Sequence, residues 1–195
     1  MKRGLATLLL LAAAAAVLLG MQRSNLRYDE LTGPIAVPGR MGQPVRTRLF
    51  DANVERVEFA RQLVYRKFGQ PIVRTTSGLW AIVTVALSAP LRSVMVGAAS
   101  WVGPQGLRYR ASGRLATAPG QSPPPVEPGL PRRVQFIFEI RPDQVGGAEL
   151  WLSEHMMPRL DSEARIALDV LPRAADGALD IMDTFDMDLA QKERP

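Results

Sequence analysis

The stretch LWAIVTVALS, residues 79–88, decides the fold of this chain. Successive side chains of a β-strand point to opposite faces of its sheet, so alternate residues share a face. One face of this segment carries Leu79, Ala81, Val83, Val85 and Leu87, and the other carries Trp80, Ile82, Thr84 and Ala86. Both faces are therefore largely apolar, which is typical of a strand that is buried on both sides. We predict a central strand here.

Shorter segments before and after this strand alternate in the same way. They are found at residues 45–49, 57–60, 93–102, 107–110, 134–140, 150–152 and 166–170. The turn sequence GPQG at residues 103–106 predicts a hairpin, and the proline-rich residues 118–131 predict a surface loop. About seven or eight strands with hardly any helical periodicity predict an all-β protein with an antiparallel β-sandwich.

The N-terminus carries Lys2 and Arg3, followed by an apolar stretch from Gly4 to Met21. Cations before a long hydrophobic run are typical of an export signal. As a helix, residues 4–21 would be roughly 27 Å long, enough to cross the hydrocarbon core of a bilayer. We expect a single-pass anchor in the cytoplasmic membrane, with the domain on the extracytoplasmic side. If the segment is cleaved near its alanines at residues 14–16, the domain is secreted instead.

These patterns divide the chain into four segments. Residues 1–24 are the membrane anchor or signal segment, and residues 25–43, where glycine and proline are frequent, are predicted to be a linker. The β-sandwich is expected over residues 44–170. Residues 171–195 form an acidic tail, because the aspartates of the chain are concentrated there.

Apolar residues in the tail follow a helical period. Ala178, Ile181, Met182, Phe185 and Leu189 share one face, with aspartates mostly on the others, which predicts a short amphipathic C-terminal helix. Such a tail could be frayed, could fold back on the basic sandwich, or could dock on a partner through Ile181, Met182, Phe185 and Leu189. Clustered aspartates also suit calcium, but the glycine and closing glutamate of an EF-hand loop are missing.

Few residues could carry catalysis. The chain has no cysteine, and its single histidine, His155, is accompanied by neither a Gly-x-Ser-x-Gly motif nor other ligands at metal-binding spacing. The glutamates at 127, 139, 149 and 154 could form a hydrolytic pair only if the fold brought two together. The tryptophans at 80, 101 and 151 lie inside predicted strands, so we expect core positions rather than a carbohydrate platform. The sequence predicts no enzyme and no cofactor.

The net charge of +5 comes mainly from arginines dispersed between apolar residues. Nucleic-acid-binding proteins usually concentrate their cations in runs or patches, so this distribution argues against nucleic acid as a partner. Attraction to an anionic lipid surface or to an acidic protein fits the same charges.

Several segments together resemble a known group of proteins. They are the export segment, the glycine- and proline-marked residues 25–43, the Gly-Leu-Trp start of the central strand, the tyrosine-containing stretch 106–111, the Pro-Gly loop 128–131 and the strand VQFIFEI. This order resembles the small extracytoplasmic immunoglobulin-like domains of bacteria. Two families belong to this group. One has no known function and is common among lipoproteins, and the other is that of the mycobacterial immunoprotective extracellular antigen. The resemblance covers residues 44–170, implies an immunoglobulin-like sandwich outside the cytoplasm and carries over no catalytic residue, and this chain lacks the lipid-accepting cysteine of the lipoproteins.

We therefore expect a membrane-anchored extracytoplasmic binding module, acting as an accessory subunit with one or more envelope proteins as partners. The membrane contact would be made by residues 4–21. The alternatives are a secreted hydrolase that uses carboxylates and a carrier of a small ligand.

Overall fold

The computed structural model describes residues 2–24, 32–115, 118, 125–156 and 160–192. The chain divides into two compact units, Met1–Gly33 and Pro34–Pro195. The first unit contains α1, Lys2–Ser24. Its window Ala6–Arg23 has a mean hydropathy of 1.7 and none of that window is buried within the protein, so α1 is long and apolar enough to cross a membrane.

The second unit is a sandwich of two β-sheets. Ten strands lie within the described residues: β1 (Ile35–Arg40), β2 (Val45–Arg46), β3 (Asp51–Lys67), β4 (Gln70–Ser88), β5 (Ala98–Val102), β6 (Arg108–Arg110), β7 (Arg132–Ile140), β8 (Glu149–Ser153), β9 (Ser162–Ala167) and β10 (Met182–Asp186). Sheet A has the order β1-β9-β8-β5-β6, and sheet B has the order β10-β3-β4-β7, with β2 also paired to β3. Most neighbours are antiparallel, but β1 with β9 and β10 with β3 are parallel. A short helix, α2 (Met187–Lys192), follows β10. The predicted all-β sandwich is confirmed.

The predicted central strand forms the second half of β4. It lies between β3 and β7 and is buried on both faces. Leu79, Val83 and Val85 face the main core between the two sheets. Trp80 and Ile82 face a smaller core on the other side of sheet B. Covering both faces removes most of the segment from water, which explains why apolar residues dominate it.

The arms of the β3–β4 hairpin extend beyond the rest of sheet B. β7 pairs with β4 only over residues 79–87, and β10 pairs with β3 only over residues 60–64. The register shifts between Ala60 and Gln62, where β4 carries extra residues. Next to this irregularity, a side chain at Gly78 would collide with the carbonyl oxygen of Ile140, so the close approach requires glycine. These arms were not predicted from the sequence.

The predicted linker is wrong for residues 35–40. These residues form β1, which pairs in parallel with β9, and the compact unit begins at Pro34 rather than near Pro44. Val37 packs on the main core. β1 is an edge strand, where a proline is tolerated because one side of the strand needs no partner, so Pro38 was a misleading sign of a linker. Residues 25–31 of the predicted linker lie outside the described residues.

The predicted tail helix is wrong for residues 178–186. Met182–Asp186 is strand β10, and among the tail residues that the structure describes only the six of α2 are helical. The free edge of β3 supplies backbone partners for β10, and Phe185 enters the smaller core. The Asp186 carboxylate accepts hydrogen bonds from the backbone N–H groups of Asp188 and Leu189, at 2.9 and 3.2 Å, and so caps the start of α2.

Other strand boundaries also differ from the prediction. The strand expected at 93–102 begins only at Ala98, and the strand at 45–49 is reduced to Val45–Arg46. The strand expected at 166–170 ends at Ala167. The hairpin predicted around the turn at residues 103–106 is confirmed by the pairing of β5 with β6. In the predicted surface loop, residues 119–124 lie outside the described residues, while Val126 bridges to Val94.

Candidate functional site

The candidate site is a groove on the outer face of sheet A. The inner face of this sheet carries the core residues Ala99, Trp101, Leu150, Leu152, Ala164 and Ile166. Because strand residues alternate between the two faces, their neighbours point away from the core. Ser100, Trp151 and Arg165 are cross-strand partners on β5, β8 and β9, and Arg110 faces Ser100 from β6. The strand register thus places two arginines and a tryptophan in one row.

Trp151 is held between two guanidinium groups. The guanidinium carbon of Arg165 lies 3.8 Å from the centre of the Trp151 ring, and that of Arg108 lies 4.2 Å from it. Arg165 lies on β9, next to β8, and Arg108 lies on β6, which is separated from β8 by β5. A cation over an aromatic face is attracted by the ring quadrupole, which fixes the orientation of both side chains.

Two carboxylates on the same face of sheet A hold this arrangement, and one of them, Glu163, also lines the groove. Glu163, only 7% exposed, accepts a hydrogen bond of 2.9 Å from Nε of Arg165. Glu149 accepts a hydrogen bond of 2.7 Å from the indole N–H of Trp151. The charge of Arg165 is thereby compensated within the protein, and Trp151 is positioned by contacts to its ring and to its nitrogen.

Arg108 and Arg110 supply the uncompensated charge of the site. Both side chains are exposed, and neither makes an ion pair within the part of the chain that the structure describes. They line a hollow of about 330 Å³ together with Ser100, Ser153 and Met156. Guanidinium groups donate several hydrogen bonds in one plane and match carboxylate or phosphate oxygens. The groove can therefore hold an anionic group beside a partly apolar wall.

The four residues predicted to dock a partner do not form one free surface. Phe185 is 6% exposed in the smaller core, and Met182 packs against the same core. Ile181 packs on the main core instead. Leu189 on α2 is 57% exposed. Three of the four residues are therefore used inside the domain, and only Leu189 faces outward.

The other sequence candidates occupy separate places. The His155 side chain is 77% exposed, with Nε2 lying 3.9 Å from the Glu154 carboxylate. The four glutamates have different neighbours: Ser93 for Glu127, Arg114 for Glu139, Trp151 for Glu149 and Arg92 for Glu154. Within the described residues, no group of three His, Asp or Glu side chains could hold a metal ion.

The tryptophans divide between the cores and the groove. Trp80 and Trp101 are fully buried, as expected, and the Trp101 indole donates a hydrogen bond of 2.9 Å to the backbone carbonyl of Gln144. Trp151 is half-buried and faces outward. The guanidinium carbons of Arg108 and Arg165 both lie within 4.2 Å of its ring centre, so Trp151 is not an open platform for a sugar ring. This site was not predicted from the sequence, although Arg108 and Arg110 alternate with Tyr109 there.

Comparison with known proteins identifies no family. No protein-family model matches the chain, and no curated protein matches its sequence. Among solved structures, an uncharacterized beta-sandwich protein from Clostridium difficile 630 is similar at a TM-score of 0.46 and 9% sequence identity, over 70% of this chain and 96% of that protein.

Proposed function

We propose that this protein is a membrane-anchored extracytoplasmic binding module that recognises an acidic segment of an envelope protein through the Trp151 groove. The observation that carries the proposal is the pair of exposed arginines, Arg108 and Arg110, which have no ion pair among the described residues and stand beside Trp151. The groove thus presents a cationic, partly apolar surface in which Arg108 is already held against Trp151. A preorganised arginine loses little conformational entropy on binding.

The anchoring part of the proposal is supported by α1. Two cations precede its apolar run, and positive residues are retained on the cytoplasmic side of a membrane. With the N-terminus inside, an uncleaved α1 would carry the domain across the membrane to the extracytoplasmic side. The resemblance to extracytoplasmic domains noted above supports the same location.

A protein segment fits the groove better than a nucleic acid does. The groove offers two uncompensated cations in one place, and arginines elsewhere in the sandwich are largely paired with carboxylates, as Arg133 is with Glu55 and Arg114 with Glu139. A nucleic-acid site would require a longer row of free cations to follow the phosphates. Two arginines and an aromatic wall instead suit one or two carboxylate side chains, with specificity from the shape of the groove.

The test is a crosslinking capture of the full-length protein from its native membranes. Reversing both charges, in Arg108→Glu with Arg110→Glu, is expected to lower recovery of the specific partner by about tenfold or more, because arginines are frequent hot spots of interfaces. The matched control is Arg132→Glu, an exposed arginine on sheet B without an ion pair among the described residues. Recovery that is unchanged in the double variant, or lost equally in the control, would overturn the assignment of the groove.

The size of the hollow favours a second candidate function, a carrier of a small anion. A volume of about 330 Å³ is close to the lower limit of small-molecule sites. Native mass spectrometry of the purified full-length protein distinguishes the two functions. A carrier would retain a small anionic ligand that the Arg110→Glu variant lacks, whereas an interaction module would be purified without one and would bind its partner in the capture experiment.

A further inference from the structure

The β3–β4 hairpin ends in an exposed aromatic residue. Phe68 is 94% exposed at the turn between the two strands. An aromatic side chain contributes a large apolar surface, which normally is covered in a soluble protein. Here it stands at the apex of arms that project past the other strands of sheet B.

The backbone at Phe68 is also strained. Phe68 has φ of 51° and Gly69 has φ of 78°, the pattern of a two-residue type I′ turn. Glycine adopts this conformation freely and asparagine tolerates it, but a bulky residue with positive φ is an outlier. The turn therefore holds a poorly suited residue whose exposed side chain is not buried in the domain, which points to a role outside the folded domain.

The arm next to the turn continues the apolar surface. Leu63 and Tyr65 face the smaller core, so Val64 between them faces outward, as Arg66 does on the other side of Tyr65. On that outer face Val64 pairs with Val73, which is 51% exposed, and the exposed Pro71 lies opposite Arg66. We call residues 66–73 the hairpin tip.

Cations flank the apolar apex. Nζ of Lys67 lies 5.8 Å from the centre of the Phe68 ring, and Lys67 makes no ion pair within the described part of the chain. The Arg66 side chain is 63% exposed, with Nη1 lying 3.7 Å from the Asp188 carboxylate. An aromatic residue beside lysine and arginine is the combination found at the boundary between lipid headgroups and acyl chains.

We propose that the hairpin tip docks on an anionic lipid surface, with Phe68 inserted between headgroups and Lys67 and Arg66 held against the lipid phosphates. Phe68 projects alone, and a lipid surface can deform around a single side chain. A protein pocket would also be expected to contact the sides of the tip. The inference rests on the proposed anchoring by α1, because an inserted α1 keeps a membrane surface permanently available to the domain. It is independent of the proposed partner groove.

The test places a nitroxide reporter beside the tip of the full-length protein, reconstituted in vesicles of phosphatidylcholine with or without phosphatidylglycerol. Because the chain has no cysteine, Gln70→Cys gives a single labelling site and leaves Phe68 intact. The matched control carries the label at Gln105, in the turn between β5 and β6. The readout is the relative accessibility of the label to oxygen, which dissolves in lipid, and to a water-soluble nickel complex.

Docking predicts that the reporter at residue 70 becomes lipid-exposed in vesicles that contain phosphatidylglycerol, while the reporter at residue 105 remains in water. Adding Phe68→Asp should abolish the effect, and Lys67→Ala should lower the ratio of docked to undocked protein about fivefold, the effect of one juxtamembrane cation. The proposal would be overturned if the reporter at residue 70 stays in water in both kinds of vesicle. It would also be overturned if the reporter remains lipid-exposed in the Phe68→Asp variant. The vesicles contain no other protein, so this result is independent of partner capture.

Discussion

Arg48 and Asp161 are 113 residues apart in the chain and form a two-point ion pair. Nε of Arg48 donates to one carboxylate oxygen at 3.2 Å, and its Nη2 donates to the other at 2.8 Å. The backbone N–H of Ser162 also donates to Asp161, at 2.7 Å. Arg48 lies between β2 and β3 and Asp161 immediately precedes β9, so the pair joins sheet B to sheet A at one end of the sandwich.

This pair predicts how stability depends on pH. The hydrogen bond from Arg48 lowers the pKa of Asp161 below its ordinary value, with a further contribution from the Ser162 N–H. A carboxyl with a lowered pKa in the folded state stabilises the fold above its unfolded-state pKa of about 3.9. That contribution is lost as the pH falls through the lower, folded-state pKa.

Asp161→Asn should therefore unfold at a lower temperature than the unaltered protein at neutral pH. This difference in unfolding temperature, the gap, should narrow as the pH falls below about 4. Thermal unfolding followed by circular dichroism across this range measures the gap. Asp183→Asn, at a carboxyl whose side chain is 92% exposed, serves as the control. A gap that stays constant down to the lowest pH would contradict the role assigned to Asp161.

The central position of β4 predicts that Val83→Asp prevents folding. Val83 is fully buried in the main core, and an unpaired carboxylate there would lack both water and a hydrogen-bonding partner. Val73→Asp is the matched control on the same strand, because Val73 faces outward on the hairpin arm. Soluble expression and a cooperative thermal transition are expected for the control alone; the same transition in Val83→Asp would contradict the core assignment.

The packing of the tail predicts a stability effect at Phe185. Phe185→Ala should lower the free energy of unfolding by about 3 kcal/mol, because it leaves a cavity in the smaller core. Leu189→Ala, on the exposed side of α2, should change it by no more than about 0.5 kcal/mol. Denaturation in urea measures both. Equal stability of the two variants would mean that the tail is not part of the folded core.

The strained turn predicts a substitution that stabilises the domain. Phe68→Asn should raise the free energy of unfolding by about 1 kcal/mol, because asparagine followed by glycine suits a type I′ turn and no packing is lost. Phe68→Val is the control, since a β-branched residue is poorly compatible with a positive φ. This variant should unfold at a lower denaturant concentration than the unaltered protein. If Phe68→Val is more stable to unfolding than Phe68→Asn, Phe68 is not strained in the folded protein.

The sequence by itself determined the class of the fold and its central strand. Residues 79–88 are apolar on both faces, and in a soluble domain such a segment avoids water only when it is covered on both sides. The N-terminal helix was determined in the same way, because its composition allows few other environments. Where a hydrophobic pattern fits a single environment, the local sequence is sufficient to predict the element.

Only the tertiary structure decided the course of the tail, of β1 and of the groove. Met182 and Phe185 are three residues apart, a spacing that suits a helix, but the free edge of β3 offered backbone hydrogen bonds and a buried position for Phe185. Pro38 suggested a linker, but its segment pairs in parallel with β9 and is therefore a strand. Arg108, Trp151 and Arg165 belong to three different strands, and their contact depends on strand order and register, which are long-range properties that no local pattern records.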